Sequence, residues 1–485
     1  MTDAALPVAS TRPFHGEIDR VWPDSRRPMP PTTLGLAALA GVAAAAVLPA
    51  AAGLGLFCVG VLVAGAALPS ARGRIGVHEL SYGVLAALLL AVVLWRDAGW
   101  FVSLCLLATG AVASFALGGG RTIVSVLLGG FSLSLACLRG LPWIGRGVGS
   151  HLPSGRRSWG PGLRAAAASI GLVVVFGALF TSADAAFAAM LPEVDLHTLP
   201  QRVVLFAVFA GLALAAAFLA AAPPRWDVLA PLPARPVRPV EWMAPIGGLV
   251  ALFSAFVGVQ LTVLFGGNDY VLQTAGLTHA EYARGGFGQL VVVTLLTLVV
   301  VSAAARWAPR ESSRQRLALR ALLGALCVLA LVVVASALYR LHLYEEAFGF
   351  TRLRLFMNAF ESWLGALVVL VLIAGVRLRA AWLPRAVVTT AVLALLSLAA
   401  INPDGFIADR NVDRFTTTGK VDVPYLRGLS ADAVPAIDRL PEPLRSCALQ
   451  GIHVADDGLA SWNAGRDRAR DLLAARPHLS ARCTP

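Results

Sequence analysis

Apolar runs about as long as a bilayer core is thick recur along this chain, and no soluble core could absorb them all. They lie at 82–95, 99–117, 122–138, 165–181, 203–222, 243–265, 287–305, 321–338, 355–376 and 386–401. A further run, 33–68, is too long for one crossing, and Pro49 with Gly53 and Gly55 suits the turn of a tight helical hairpin. About 20 apolar residues span the hydrocarbon region, and only helices or closed barrels satisfy their backbone there. With 57% of residues hydrophobic, the expectation is an all-α polytopic transmembrane helix bundle of about 12 spans.

The ends differ from the middle. Residues 1–32 are polar and carry Pro7, Pro13, Pro23, Pro28, Pro30 and Pro31, which predicts a disordered tail with no cleavable leader, the first apolar run serving as a signal-anchor. Residues 33–401 form the bundle, and residues 402–485 are polar enough for a small helical extramembrane domain. Within that last segment Ser430 is placed as an N-cap with Asp432 in the first turn, and two further short helices follow.

Net charge is +12, yet the arginines sit in short connections between apolar runs, where basic residues set orientation, so nucleic acid is excluded as a partner. The only lysine is Lys420, and the glycines before it lack phosphate-loop spacing. An intramembrane amine nucleophile is excluded for the same reason. No nucleophile elbow, zinc-protease helix, nucleotide loop or haem-attachment motif is present, so no catalytic residue, metal or cofactor is assigned and enzymatic activity is left open.

Connections 139–164, 306–320 and 377–385 carry five, five and three arginines against one acidic residue, Glu311, and read as cytoplasmic. The connections between them hold most of the acidic residues and read as external, which puts the segment after Ile401 outside. The front of the chain conflicts with this: five spans before Arg139 require either an early run that does not cross or an external N-terminus. Cys447 and Cys483 are the only cysteines in the polar C-terminal segment. A disulfide between them suits an oxidising compartment, the alternative being two separate thiols in an internal tail.

Candidate site residues concentrate on the outer side. Between two apolar runs stand Arg340, Glu345, Glu346, Arg352 and Arg354, and Glu361 lies inside the next run. If that run is helical from its start, Arg354, Asn358 and Glu361 share a face, and Arg354 is the expected partner of Glu361. The plainer account is a rim network that fixes helix packing. Asp184 sits just past another span. Glu281 and Arg284 precede a glycine pair, where Thr278 with Glu281 also makes a capping box. The segment from Asn402 carries Asp404, Asp409, Arg410, Asn411 and Arg414, read as a turn and a solvated helix.

The segments TSADAAF, HAEYARGGFGQL, LHLYEEAFGFTRLRL, NPDGFIADRNVDR and YLRGLSADAVPAI together resemble an uncharacterised family of bacterial multipass membrane proteins, the domain of unknown function 4173, itself related to domain 4153. The resemblance implies a polytopic inner-membrane protein and brings no activity, cofactor or catalytic residue. Three functions are set against each other on this basis. The first is a binding or signalling scaffold whose polar outer face meets an envelope protein or a small-molecule ligand. The second is a transporter using an intramembrane Glu/Arg pair, and the third an enzyme on a lipid-linked substrate using Asp184 or Glu281.

Overall fold

The computed structural model describes residues 19–25, 27–48, 51–71, 75–120, 122–151, 198–229, 238–265, 287–309, 311–454, 458–477 and 479, with isolated helical positions at 169, 172 and 176. Among these residues the regular structure is entirely helical. In chain order the helices are α1 (Pro31–Val47), α2 (Leu54–Ala67), α3 (Val77–Ala91), α4 (Gly99–Gly118), α5 (Ile123–Gly130), α6 (Ser132–Arg139), α7 (Leu141–His151), α8 (Leu199–Ala221) and α9 (Pro239–Phe265). They continue with α10 (Phe287–Trp307), α11 (Ser313–Phe348), α12 (Arg352–Arg377), α13 (Leu383–Ile401), α14 (Pro403–Thr418), α15 (Val423–Arg427), α16 (Val434–Ile437), α17 (Leu444–Leu449) and α18 (Ala464–Ala475).

Eight of the described helices are long and apolar enough to cross a membrane, with α3 counted together with its 3-10 extension to Leu94. The expected run 33–68 forms two helices, α1 and α2, both shorter than a full crossing, while the turn expected at Pro49 lies outside the described residues. The expected run 122–138 is not one helix, because it breaks at Phe131 into α5 and α6. Each is 8 residues long, about 12 Å at 1.5 Å per residue, against a core of about 30 Å. Most of the run 165–181 lies outside the described residues.

The chain divides into two compact units. One comprises residues 1–51, 55–75 and 132–224. One of its clusters is built from small side chains: Ala37 and Ala40 of α1, Ala66 of α2 and Ala213 of α8 are all buried together. Such residues let helix backbones approach closely where lipid offers no hydrophobic drive. Residues 19–25 and 27–30, expected to belong to the disordered tail, are packed in this unit. Trp22 is buried, donates its indole N–H to the Ala222 carbonyl at 2.8 Å and stacks on Phe218. Arg146 pairs with Asp24 at 2.7 Å, and Trp143 donates to the Arg27 carbonyl at 2.9 Å. Buried Trp22 and Met29, with Arg139 paired to Asp19 and Arg146 to Asp24, hold an otherwise polar segment in place.

The other unit comprises residues 52–54, 76–131 and 225–485. Two of its apolar clusters bear on the site. In one, α9, α10, α11 and α12 pack through Phe253, Val257, Leu290, Val301, Leu326, Ala330, Val333, Ala337 and Val368. In the other, Tyr82, Leu89, Phe101 and Phe115 of α3 and α4 share a cluster with Val392 and Leu398 of α13 and with Ile407, Val412, Leu426, Val434, Ile437, Leu449 and Ala469. The polar segment after Ile401 thus builds its core jointly with the ends of apolar helices. Helix α14 is amphipathic, with Asp404, Ile407, Ala408 and Val412 inward, and Asn402 takes the left-handed conformation that turns the chain out of α13.

Candidate functional site

Helix α11 runs for 36 residues, continuing past its apolar stretch through Arg340, Glu345 and Glu346. It starts on a capping box in which Ser312 accepts from the Gln315 N–H at 3.2 Å while Gln315 accepts from the Ser312 N–H at 3.1 Å. It ends at Gly349, whose φ of 78° and ψ of 175° suit only glycine. Thr351 then caps α12, which begins at Arg352 and makes Arg354, Asn358 and Glu361 neighbours along one helix, as expected.

From the rim inward, the expected cluster separates into two groups with different fates. Arg352, Arg354 and Glu346 are engaged in holding chain ends together. Arg354 donates to the Gly349 carbonyl and lies over the Tyr344 ring at 4.2 Å, so the expected Arg354–Glu361 pair is not formed. The reason is local: the terminal carbonyls of α11 lack intrahelical donors and sit closer to the arginine than the interior does. Glu346 is exposed, meets His342 at 3.3 Å, and its carbonyl accepts from Arg414 at 3.2 Å.

Arg340, Glu345, Asn358 and Glu361 form the second group, which is interior to α9–α12. Arg340 donates to the Gln260 side-chain oxygen at 3.0 Å, and Ser336 donates to the same atom at 3.0 Å. Glu345 is buried, accepts from Asn358 at 3.4 Å through one oxygen, and its other oxygen accepts no hydrogen bond among the described residues. Glu361 is 0% exposed and neither of its carboxyl oxygens closes a hydrogen bond among the described residues. It stands beside the Thr294 hydroxyl of α10, but that hydroxyl already donates to the Leu290 carbonyl at 3.0 Å. Asp184, Glu281, Arg284 and Cys483 lie outside the described residues, while Cys447 is disulfide-bonded.

A third set of polar groups, largely overlooked in the sequence, joins the C-terminal segment to the helix ends. Asp404, expected in a solvated helix, is 0% exposed. It accepts from Trp100 at 3.0 Å, from Arg352 at 3.0 and 2.5 Å, and from the Ser430 N–H at 2.9 Å. Burial pushes this carboxyl up, but the Arg352 and Trp100 bonds, the Arg352 charge and the Ser430 N–H together hold it below the usual carboxylate range.

Asp97 and Asp432 exchange backbone donors nearby. The Asp97 and Ala98 N–H groups, at the open N-terminus of α4, donate to Asp432 at 2.7 and 3.2 Å, and the Ala431 N–H donates to Asp97 at 3.2 Å. Asp97 also pairs with Arg466 at 2.5 Å. Burial pushes Asp432 up to about 6, with the charge of Asp97 adding to the shift and the Asp97 and Ala98 N–H bonds and Arg96 opposing it. Asn463 caps α18 by accepting from Gly465 and Arg466, and its amide donates to the carbonyls of Val93 at 2.8 Å and Arg96 at 3.1 Å. One side chain therefore serves the start of one helix and the frayed end of another. Ser430 occupies the expected cap position without a side-chain bond.

Long apolar helices carrying a buried polar interior, with a polar segment packed on their ends, define a polytopic helical membrane protein. The family model of a domain of unknown function, DUF4153, matches residues 84–440. That is well over half of the chain, and the chain belongs to this family. The match supports the expected relationship to domain 4153 and does not extend to domain 4173 itself. No curated protein and no solved structure matches the chain.

Proposed function

We propose that this protein carries a proton or small cation through the interior of α9–α12, with Glu361 as the group that binds it. The observation behind this reading is the fully buried Glu361 carboxyl, both of whose oxygens lack a hydrogen bond among the described residues. An ionised carboxylate costs several kcal/mol in such a place, so it holds a proton or a cation there. The Thr294 hydroxyl, which donates to the Leu290 carbonyl, offers its oxygen as an acceptor to a protonated Glu361. Glu345, Asn358, Arg340 and Gln260 extend the polarity towards the end of α11. The test is flux into proteoliposomes of purified full-length protein under proton, sodium and potassium gradients, expected to vanish in Glu361→Gln with thermal stability unchanged. Flux in that variant equal to wild type, or none in wild type under any gradient, would remove the reading.

A second reading, an envelope-facing binding or signalling scaffold in the bacterial plasma membrane, is favoured by the anchored C-terminal segment. Asp404, Asn463 and Arg466 hold it to the helix ends, and disulfide-bonded Cys447 suits an oxidising, extracytoplasmic side. In cells expressing a protein that retains only Cys447 and Cys483, an impermeant thiol reagent should label after reduction alone. Labelling that instead requires permeabilisation would put the segment inside and invert every connection. The lipid-linked-substrate enzyme gains nothing here, since Asp184 and Glu281 lie outside the described residues.

A further inference from the structure

A cavity of about 240 Å³ opens where the end of α3, the end of α13 and the C-terminal segment meet, lined by Trp95, Arg96, Asn402, Asp432, Gly465 and Arg468 among others. It is smaller than the roughly 300–1,000 Å³ typical of sites for drug-sized ligands. Its floor is an acceptor without a donor. Asp432 is 4% exposed; its Oδ2 takes the two N–H groups of Asp97 and Ala98, while its Oδ1 accepts nothing among the described residues. The side-chain oxygen of Asn402 is in the same condition. Buried acceptors left so are costly and rare. Gly465 packs directly against Asp432, where a Cβ would stand 2.1 Å from Oδ1, so only glycine fits at this edge of the floor.

The walls carry the opposite charge. Arg96 is anchored by donating to the Ala399 carbonyl at 2.6 Å and the Ala400 carbonyl at 3.3 Å. Burial pushes it below its ordinary range, with Asp432 nearby opposing and Arg468 nearby adding to the shift. Arg96 and Arg468 thus stand close enough to repel, and neither closes an ion pair with Asp432. Two guanidiniums beside one another want an anion, and two bare acceptors below them want a donor. Trp95 is half exposed just past the end of a span, a position that aromatic residues favour at the level of lipid headgroups.

We propose that this cavity binds a phosphoethanolamine group, its phosphate on Arg96 and Arg468 and its ammonium on Asp432 Oδ1 and the Asn402 side-chain oxygen. Arginine pairs flat with phosphate oxygens, and the ammonium supplies the donors that the floor lacks. A phosphocholine group has the same phosphate but no N–H, so it should be rejected. The site is independent of Glu361 and stands or falls without it.

The experiment is binding to purified full-length protein of two probes, free O-phosphoethanolamine and short-chain phosphatidylethanolamine, each against its choline counterpart. Saturable binding of either ethanolamine probe over its choline counterpart supports the proposal: the free compound alone marks a soluble ligand, the lipid alone a membrane one. Arg468→Gln, at an exposed position, should weaken binding about tenfold or more, the loss expected for a charge-assisted hydrogen bond, with the melting temperature unchanged. Asp432→Asn should weaken the ethanolamine probes specifically. Equal binding of ethanolamine and choline probes, no binding of either ethanolamine probe, or wild-type affinity in both variants would overturn it.

Discussion

Arg352 and Asp404 meet side by side, Nε donating to Oδ1 at 3.0 Å and Nη2 to Oδ2 at 2.5 Å, so the first residue of α12 grips the second residue of α14. The carboxylate is fully buried and the guanidinium is partly open to solvent. Removing the arginine alone strands a buried charge, so Arg352→Ala should cost about 3 kcal/mol. Arg352→Gln with Asp404→Asn should cost less than Arg352→Ala alone. Thermal unfolding and protease release of the C-terminal segment measure both, and a double variant worse than the single one would contradict the account.

Asp404 and Asp432 give the segment opposite responses to pH. Asp404, held below its ordinary range, contributes stability that is present above about pH 3.9 and lost as pH falls through its lower folded value. Asp432, pushed up to about 6, contributes stability that is complete below about pH 3.9 and lost as pH rises through about 6. Asp97, Arg96, Arg466 and Arg468 surround it. The melting temperature of wild type should therefore fall more between pH 4 and pH 7 than that of Asp432→Asn. Parallel profiles would show that Asp432 is not the group responsible.

Gln260 receives two donors on one oxygen, Ser336 and Arg340. Gln260→Leu should destabilise by about 2 kcal/mol, because both donors lose a buried acceptor. Gln260→Glu should move the other way, since a carboxylate there meets Arg340 as an ion pair. Melting temperatures in detergent distinguish the two signs directly.

Gly349 makes the corner between α11 and α12, and a Cβ there would lie 2.4 Å from the Asn411 side-chain oxygen. That oxygen accepts from the Phe350 N–H at 3.1 Å while the Asn411 amide donates to the Phe350 carbonyl at 2.9 Å. Gly349→Ala should cost about 1–3 kcal/mol from backbone strain alone. Adding Asn411→Ala should not restore stability, because it removes the clash and keeps the strain. Full recovery in the double variant would show that crowding, not backbone conformation, sets the cost.

The helices were legible wherever one local rule decided them. Twenty apolar residues in a row announce a span, and the spacing of Arg354, Asn358 and Glu361 puts them along one helix. The site was legible only as composition. Arg354 bonds the Gly349 carbonyl instead of Glu361 because the end of a neighbouring helix outbids a distant carboxylate, and nothing in residue spacing prices that competition. Asp404 reads as a turn residue beside Pro403, since the Trp100 and Arg352 that bury it are 304 and 52 positions away. Asn463 reads as an ordinary cap, and its second task depends on a helix end 370 positions earlier. Trp22, alone among prolines and charges, gave too little apolar signal to reveal a packed segment.

The length of α11 has a mechanical consequence. Thirty-six residues make a rod about 54 Å long, set in a hydrocarbon layer of about 30 Å. Arg314, Arg316 and Arg320 mark one end of the rod and Arg340, Glu345 and Glu346 the other. Arg414 reaches across to the carbonyls of Glu346 and Ala347, and Ser312 seals the opposite tip. Such a rod cannot slide lengthwise without drawing charge into oil, so a thinner or thicker bilayer is met by leaning rather than by shifting depth.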